Sequence, residues 1–344
     1  MGLARYVARK VVYTVVLLLI IVAFNFVLFQ ILPFVTACPT QTISDCASRL
    51  YAPESPPRGV QNASLWVTTI RAKIIHQYGF DQPLYIRFLD YYQNMFTFNF
   101  GYNIGNTLGG TVLDTISIRT PYTLLLLGSS TVASFILGIG MGVIASAKRG
   151  KVFDISSLAS LLFLNSLPTF FLGSMLKLVQ LGSTGTYYIS WETATIGLQG
   201  WGVYVTTLEA LFLPLLTLTL VGTGGVFLTQ RAVMIDTLGE DYVIMARAKG
   251  VPESQVLYKH ALRNAVLPIV TAFALSIGFI LSGAIITETV FQWNGLGYAV
   301  FLAISNNDFP FAQAIFFIIT IMVLIALFAA ELAYGVLDPR VSRG

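Results

Sequence analysis

Six long runs without one charged side chain limit this chain more than any other feature of its sequence. They are Val11–Pro33, Pro121–Ala147, Ile155–Leu176, Ala210–Gln230, Asn264–Thr287 and Phe309–Ala330. A helix needs ~20 mostly apolar residues to cross ~30 Å of hydrocarbon, and every run meets that length. Only 10% of the 344 residues are charged, against about 25% in a soluble domain. The expectation is an all-α polytopic membrane protein with six transmembrane helices. An even number of spans places both termini on the same side.

Basic residues in short flanking segments choose that side. Arg5, Arg9 and Lys10 precede the first run, and Lys148, Arg149 and Lys151 join the second to the third. Arg231, Arg247, Lys249, Lys259 and Arg263 lie between the fourth and fifth, and Arg340 and Arg343 in the tail. This side is read as cytoplasmic; the short loops opposite carry only Lys177. The net charge of +4 therefore reflects topology, and no nucleic-acid footprint accompanies it. The first run is longer than a signal-peptide core and lacks a small-residue cleavage pattern, so it reads as a retained anchor.

The expected organisation is a cytoplasmic N-terminus with the first span (1–33), an extracytoplasmic cap (34–120), a helical core (121–337) and a cytoplasmic tail (338–344). In the cap, 38–62 reads as irregular, Leu65–Gln77 and Pro83–Phe96 as helices, and Val112–Arg119 as a short approach helix. Cys38 and Cys46 fall on the outward side, where two cysteines eight residues apart could close a disulfide or remain thiols. Asn62-Ala63-Ser64 is a glycosylation triplet.

The segment about 233–264 is the most heavily charged between two spans. Gly250 stops one helix and Pro252 starts another. On the second, Leu257, Tyr258, Ala261 and Leu262 are expected on one side, with Glu253, Lys259, His260 and Arg263 on the other. Such a two-faced helix held between spans is a docking element or a solvated loop.

Gly138 and Gly142, and Gly278 with Ser282, make small-xxx-small faces suited to close helix packing. Pro168 should kink the third span. Trp191 and Trp201 suit a membrane interface. Glu288, bounding the fifth span, and Glu331 are expected near interfaces, and Glu288 through Gly297 reads as a fold-back at the outer surface. No phosphate-cradling glycine loop, zinc-protease histidine pair or nucleophile elbow occurs. His76 and His260 fall on opposite sides of the membrane, which excludes a shared metal.

Taken in order, several short motifs together resemble one family. These are Arg5–Lys10 before a span ending Ile31-Leu32-Pro33, Gly79-Phe80-Asp81-Gln82-Pro83-Leu84, Arg119-Thr120-Pro121 and Ser166-Leu167-Pro168-Thr169-Phe170. Asp241-Tyr242-Val243, Ala246–Gly250, His260–Asn264, Glu288–Phe291, Gly295-Leu296-Gly297 and Leu337-Asp338-Pro339-Arg340 complete the set. The chain resembles the permease subunits of dipeptide/oligopeptide ABC importers, specifically the first of the two permeases. Ile244-Met245-Ala246 stands where that family's cytoplasmic motif has Glu-Ala-Ala, and Gln292 to Asn294 lacks a frequent proline.

The resemblance implies a cytoplasmic coupling helix that docks on an ATPase, with Asp241, Ala246, Gly250, Pro252, Glu253, Leu257, Tyr258, Lys259, Ala261, Leu262 and Arg263 as coupling residues. It implies an outer gate or binding-protein contact at Glu288, Trp293, Gly295 and Gly297. The implied partners are a second homologous permease, two ABC ATPases, an extracytoplasmic substrate-binding protein and membrane lipid. No catalytic group or cofactor is expected on this chain; ATP and magnesium belong to the ATPases. Peptides are the expected solute, with oligosaccharides or another small solute as the alternative. An ion-coupled secondary carrier is the alternative from a different class.

Overall fold

The computed structural model of the chain describes residues 3–37, 46, 63–77, 79–101, 111–185, 188–197, 200–280, 285–306 and 308–337. Cys38, Asn62, Ser282 and the tail 338–344, all named above, lie outside them. The helices are α1 (Leu3–Phe26), α2 (Leu32–Ala37), α3 (Ala63–Gln77), α4 (Leu84–Phe96), α5 (Val112–Ala147), α6 (Val152–Ser166), α7 (Thr169–Thr184) and α8 (Trp191–Ala194). They continue with α9 (Trp201–Leu238), α10 (Asp241–Ala248), α11 (Glu253–Gln255), α12 (Leu262–Ala265), α13 (Leu267–Ile280), α14 (Ile285–Phe291), α15 (Leu296–Ser305) and α16 (Phe309–Leu337). The five-residue turn Val27–Ile31 and the six-residue turn Val256–Ala261 are π-helical. No strand occurs among the described residues.

By length and composition, Val7–Thr36, α5 and α9 can each cross a membrane, and α6 with α7 can supply a fourth crossing. Shorter apolar helices are α15 and Phe309–Ile325. The chain is thus a helical membrane protein with several apolar helices.

Three prolines on these helices behave differently. The expected kink at Pro168 is a 105° break between α6 and α7. Leu167, with φ −76 and ψ 133, is extended, as the ring of a following proline favours. Pro121 instead lies inside α5, so the separate approach helix Val112–Arg119 is corrected: it is the first part of one 36-residue helix. Pro214 lies inside α9 and, having no N–H, cannot satisfy the carbonyl of Ala210. The Tyr188 hydroxyl donates to that oxygen at 2.9 Å.

Close contacts divide the chain into two compact units, one of Met1–Pro121 with Gly295–Phe328 and the other of Tyr122–Asn294 with Ala329–Gly344. The first has an aromatic core. Phe26 packs on Phe88 and Tyr91, Phe29 on Phe316, and Phe317 among Phe96, Phe98 and Phe100. A buried polar seam joins the first helix to α16: Asn25 Nδ2 donates to the Gln313 carbonyl at 3.1 Å, and Gln30 Nε2 to Gln313 Oε1 at 2.9 Å.

The second unit is built along α9. A Cβ at Gly138 would stand 2.6 Å from Val226 Cβ, and one at Gly142 2.8 Å from Gln230 Cβ. The glycine face of α5 therefore lies directly on α9, as small-xxx-small spacing predicts. Gly224 of α9 meets Asn165 and the Leu161 carbonyl of α6 just as closely. The same two helices share an ion pair: Arg231 Nη2 donates to Asp154 Oδ2 at 2.8 Å, while the Gly150 N–H donates to that oxygen at 2.9 Å.

Candidate functional site

The segment after α9 folds as a compact loop of short helices. Helix α10 ends at Gly250, whose φ of +77° lies in the left-handed region that a side chain disfavours. The Gly250 N–H donates to the Arg247 carbonyl at 2.9 Å, and the Val251 N–H to the Ala246 carbonyl at 3.3 Å. These two bonds form a Schellman stop, and Pro252 caps the start of α11. Arg247 also clamps Glu253 across the turn through two bonds, Nη2 to Oε1 at 2.7 Å and Nε to Oε2 at 3.2 Å. Asn264 Nδ2 donates to the Tyr242 hydroxyl at 2.8 Å.

An apolar core packs the loop onto α5 and α9. Val243, Ala246, Val256, Ala261 and Ala265 are buried with Val143 of α5 and Met234 of α9, and Val251, Leu257 and Leu262 pack against them. Burying a valine side chain contributes roughly 1.5–3 kcal/mol, so Val243 and Val256 help hold the loop against α5 and α9. The expected docking face is only partly on the surface. Ala261 is buried, Leu257 and Leu262 are half-buried, and only Tyr258 of that set is exposed.

The physical reason is the π-helical turn. Its wider step puts Val256 and Ala261, five residues apart, on one inward line that continues to Ala265. The outward side carries Tyr258, Glu253, Lys259 and Arg263 from this helix, with Asp241, Tyr242, Ile244 and Met245 from α10. Asp241 sits in the first helical turn, where a carboxylate complements the helix dipole.

A second cluster of the same unit surrounds Glu288. Its side chain is completely buried and accepts a hydrogen bond from the Thr123 hydroxyl at 3.0 Å. Trp293 is also completely buried, and its Nε1 donates to the Tyr122 carbonyl at 2.9 Å. The sequence reading expects both at an outer surface; the structure encloses them. Lys177 Nζ donates to the Val290 carbonyl at 2.9 Å and lies over the rings of Tyr188 and Phe291. In the first unit, Gly295 and Gly297 are buried at the start of α15. Cys46 is buried and disulfide-bonded; Cys38 lies outside the described residues.

Between α5, α9 and α13 runs a groove of about 380 Å³. Ser130, Thr131, Ser134, Thr229 and Ser276 line it with Gly222, Gly225, Phe135 and aliphatic side chains, and none of the described lining residues is ionisable. A Cβ at Gly225 would meet nothing within 4 Å, so that glycine leaves the groove open. No group of histidine, cysteine, aspartate and glutamate among the described residues could hold a metal ion.

Sequence reasoning missed the Asp154–Arg231 pair. The signal was present: an acid beside the third run and an arginine directly after the fourth each need a partner where the chain enters lipid.

Long apolar helices, close glycine contacts between helices, a polar loop packed on two of them and an uncharged groove define a multi-pass membrane transport component. The chain belongs to the family of binding-protein-dependent transport system inner membrane components, whose profile matches residues 135–343. It is 33% identical, over 79% of this chain and 85% of the relative, to the di/tripeptide transport system permease DppB of Pseudomonas aeruginosa. It is 30% identical to the oligopeptide transport system permease AppB of Bacillus subtilis, over 79% of this chain and 84% of that protein. The glutathione transport system permease GsiC of Escherichia coli K12 is 34% identical over 77% of this chain and 82% of its own length.

Proposed function

We propose that the chain is a permease subunit of an ATP-driven importer of di- and oligopeptides. It crosses the membrane six times with both termini in the cytoplasm, and with a second homologous permease it encloses the translocation path. Two ATPases, holding ATP and magnesium, drive it through the loop of α10 to α12, and an extracytoplasmic binding protein delivers the solute.

The observation that carries this reading is the loop's division of labour. Its inward side is already packed on α5 and α9, yet Tyr242 (42%), Ile244 (52%), Met245 (57%) and Tyr258 (56%) are exposed among Lys249, Lys259 and Arg263. Aromatic anchors with basic neighbours are what a protein interface uses. The uncharged groove suits solutes whose side chains vary, since its hydroxyls can meet peptide groups common to all of them. The names of the relatives favour peptides over other solutes.

A cysteine at position 258 tests the loop. It should cross-link to the ATPase in the assembled complex, and proteoliposomes should take up a dipeptide only with ATP. Uptake that ignores ATP but collapses with a protonophore would make the chain an ion-coupled carrier and end this reading.

A further inference from the structure

The unit of Met1–Pro121 with Gly295–Phe328 contains a cavity of about 490 Å³. That volume fits a small organic molecule and is far larger than an ion needs. Its chemistry is carried by Gln30, Arg87, Asp90, Tyr91, Asn94 and Gln313.

Arg87 is 3% exposed. Its Nη2 donates to Gln30 Oε1 at 2.9 Å and to the Gln30 carbonyl at 3.2 Å, and the Phe80 ring lies 4.8 Å from the guanidinium carbon. The protein thus fixes a positive charge in the cavity wall. Asp90, one helical turn further along α4, is exposed and free to meet a ligand. Tyr91 is 6% exposed, and its hydroxyl has no hydrogen-bond partner among the described residues. A buried hydroxyl without a partner is costly, and a ligand that bonds to it recovers that cost.

We propose that this cavity is a solute site distinct from the groove, and that it takes a short peptide with free termini. The peptide carboxylate faces Arg87, its ammonium faces Asp90, and its amide groups meet the Tyr91 hydroxyl and the Asn94 carboxamide. Opposite charges one turn apart on a single helix, set among carboxamides, suit a zwitterion better than an anion or an apolar molecule. This inference rests on the reading of the chain as a peptide importer.

The test uses the whole transporter in lipid nanodiscs, without nucleotide or binding protein, with trialanine as probe and calorimetry as readout. Trialanine should bind saturably, and Asp90→Asn should weaken it about tenfold, the scale of one charge-assisted bond. N-acetyl-trialanine, which lacks the ammonium, should bind weakly and equally to both proteins. Tyr91→Phe should weaken trialanine several-fold, and neither variant should lower the yield of folded complex. Absence of saturable binding overturns the site, as does a loss on Asp90→Asn that is equal for both probes. ATP-driven trialanine uptake is measured on the same preparations: uptake without Asp90-sensitive binding removes the cavity alone, and binding without any peptide uptake removes the import reading alone.

Discussion

The loop of α10 to α12 and the cluster around Glu288 belong to one compact unit and are held by opposite means. Loop ties are mostly local: Arg247 to Glu253 spans six residues, and the Gly250 stop uses neighbouring backbone. Its core residues are mainly small aliphatics, and its charges stay in solvent. Around Glu288 the bonds span much longer stretches, with sequence separations of 165 from Thr123 to Glu288 and 171 from Tyr122 to Trp293. Large rings and a carboxylate are completely buried there. Local ties form at little entropic cost and leave a surface free for a partner. Distant buried polar ties bring helices together in one arrangement only, because an unmet buried group is expensive.

This contrast should be breakable in a definite order. Trp293→Ala removes the completely buried ring that packs on Tyr122 and should cost about 3–5 kcal/mol, read as a lower unfolding midpoint of the purified protein. A shift worth less than about 1 kcal/mol would show that the cluster is no lock.

Gly250→Val places a β-branched residue at φ +77°, a strain of about 1–2 kcal/mol confined to the loop. Global unfolding should hardly move, while peptide uptake falls and ATP hydrolysis continues; unimpaired uptake would remove Gly250 from the coupling residues. Tyr188→Phe deletes only the hydroxyl that serves the Ala210 carbonyl and should cost about 1 kcal/mol in the same unfolding assay, leaving uptake intact.

Glu253→Gln should have the smallest effect, at most about 1 kcal/mol for an exposed pair. The hydrogen bond from Arg247, then its charge, holds the Glu253 carboxyl below its ordinary range. The contribution is therefore fully present above the ordinary glutamate pKa and is lost as pH falls through the lowered folded value. Hydrogen exchange of loop amides at falling pH should show this acid limb in the native chain and none in the variant.

Much of this was legible where a local rule decides. Pro83 and Pro252 announced helix starts, Gly250 a stop, and Gly138 with Gly142 a close crossing. The inward face of the loop was not legible, because 3.6-residue counting cannot foresee the π-helical turn that aligns Val256 with Ala261. Nor was the fate of each proline: position 168 breaks the chain direction, whereas position 214 is tolerated because Tyr188, 26 residues earlier, supplies the missing donor. The burial of Glu288 depends on residues brought together from distant parts of the chain, and its neighbours in sequence gave no sign of it.

Helix α9 runs unbroken for 38 residues, a rod about 57 Å long. The loop hangs from one end, and the Ala210 tie lies near the other. Over such a span, tilting the rod by only a few degrees about the tip that carries the loop would sweep the far tip through several ångströms. A rigid rod of this length would therefore turn a small tilt at the loop into a larger displacement at the opposite end.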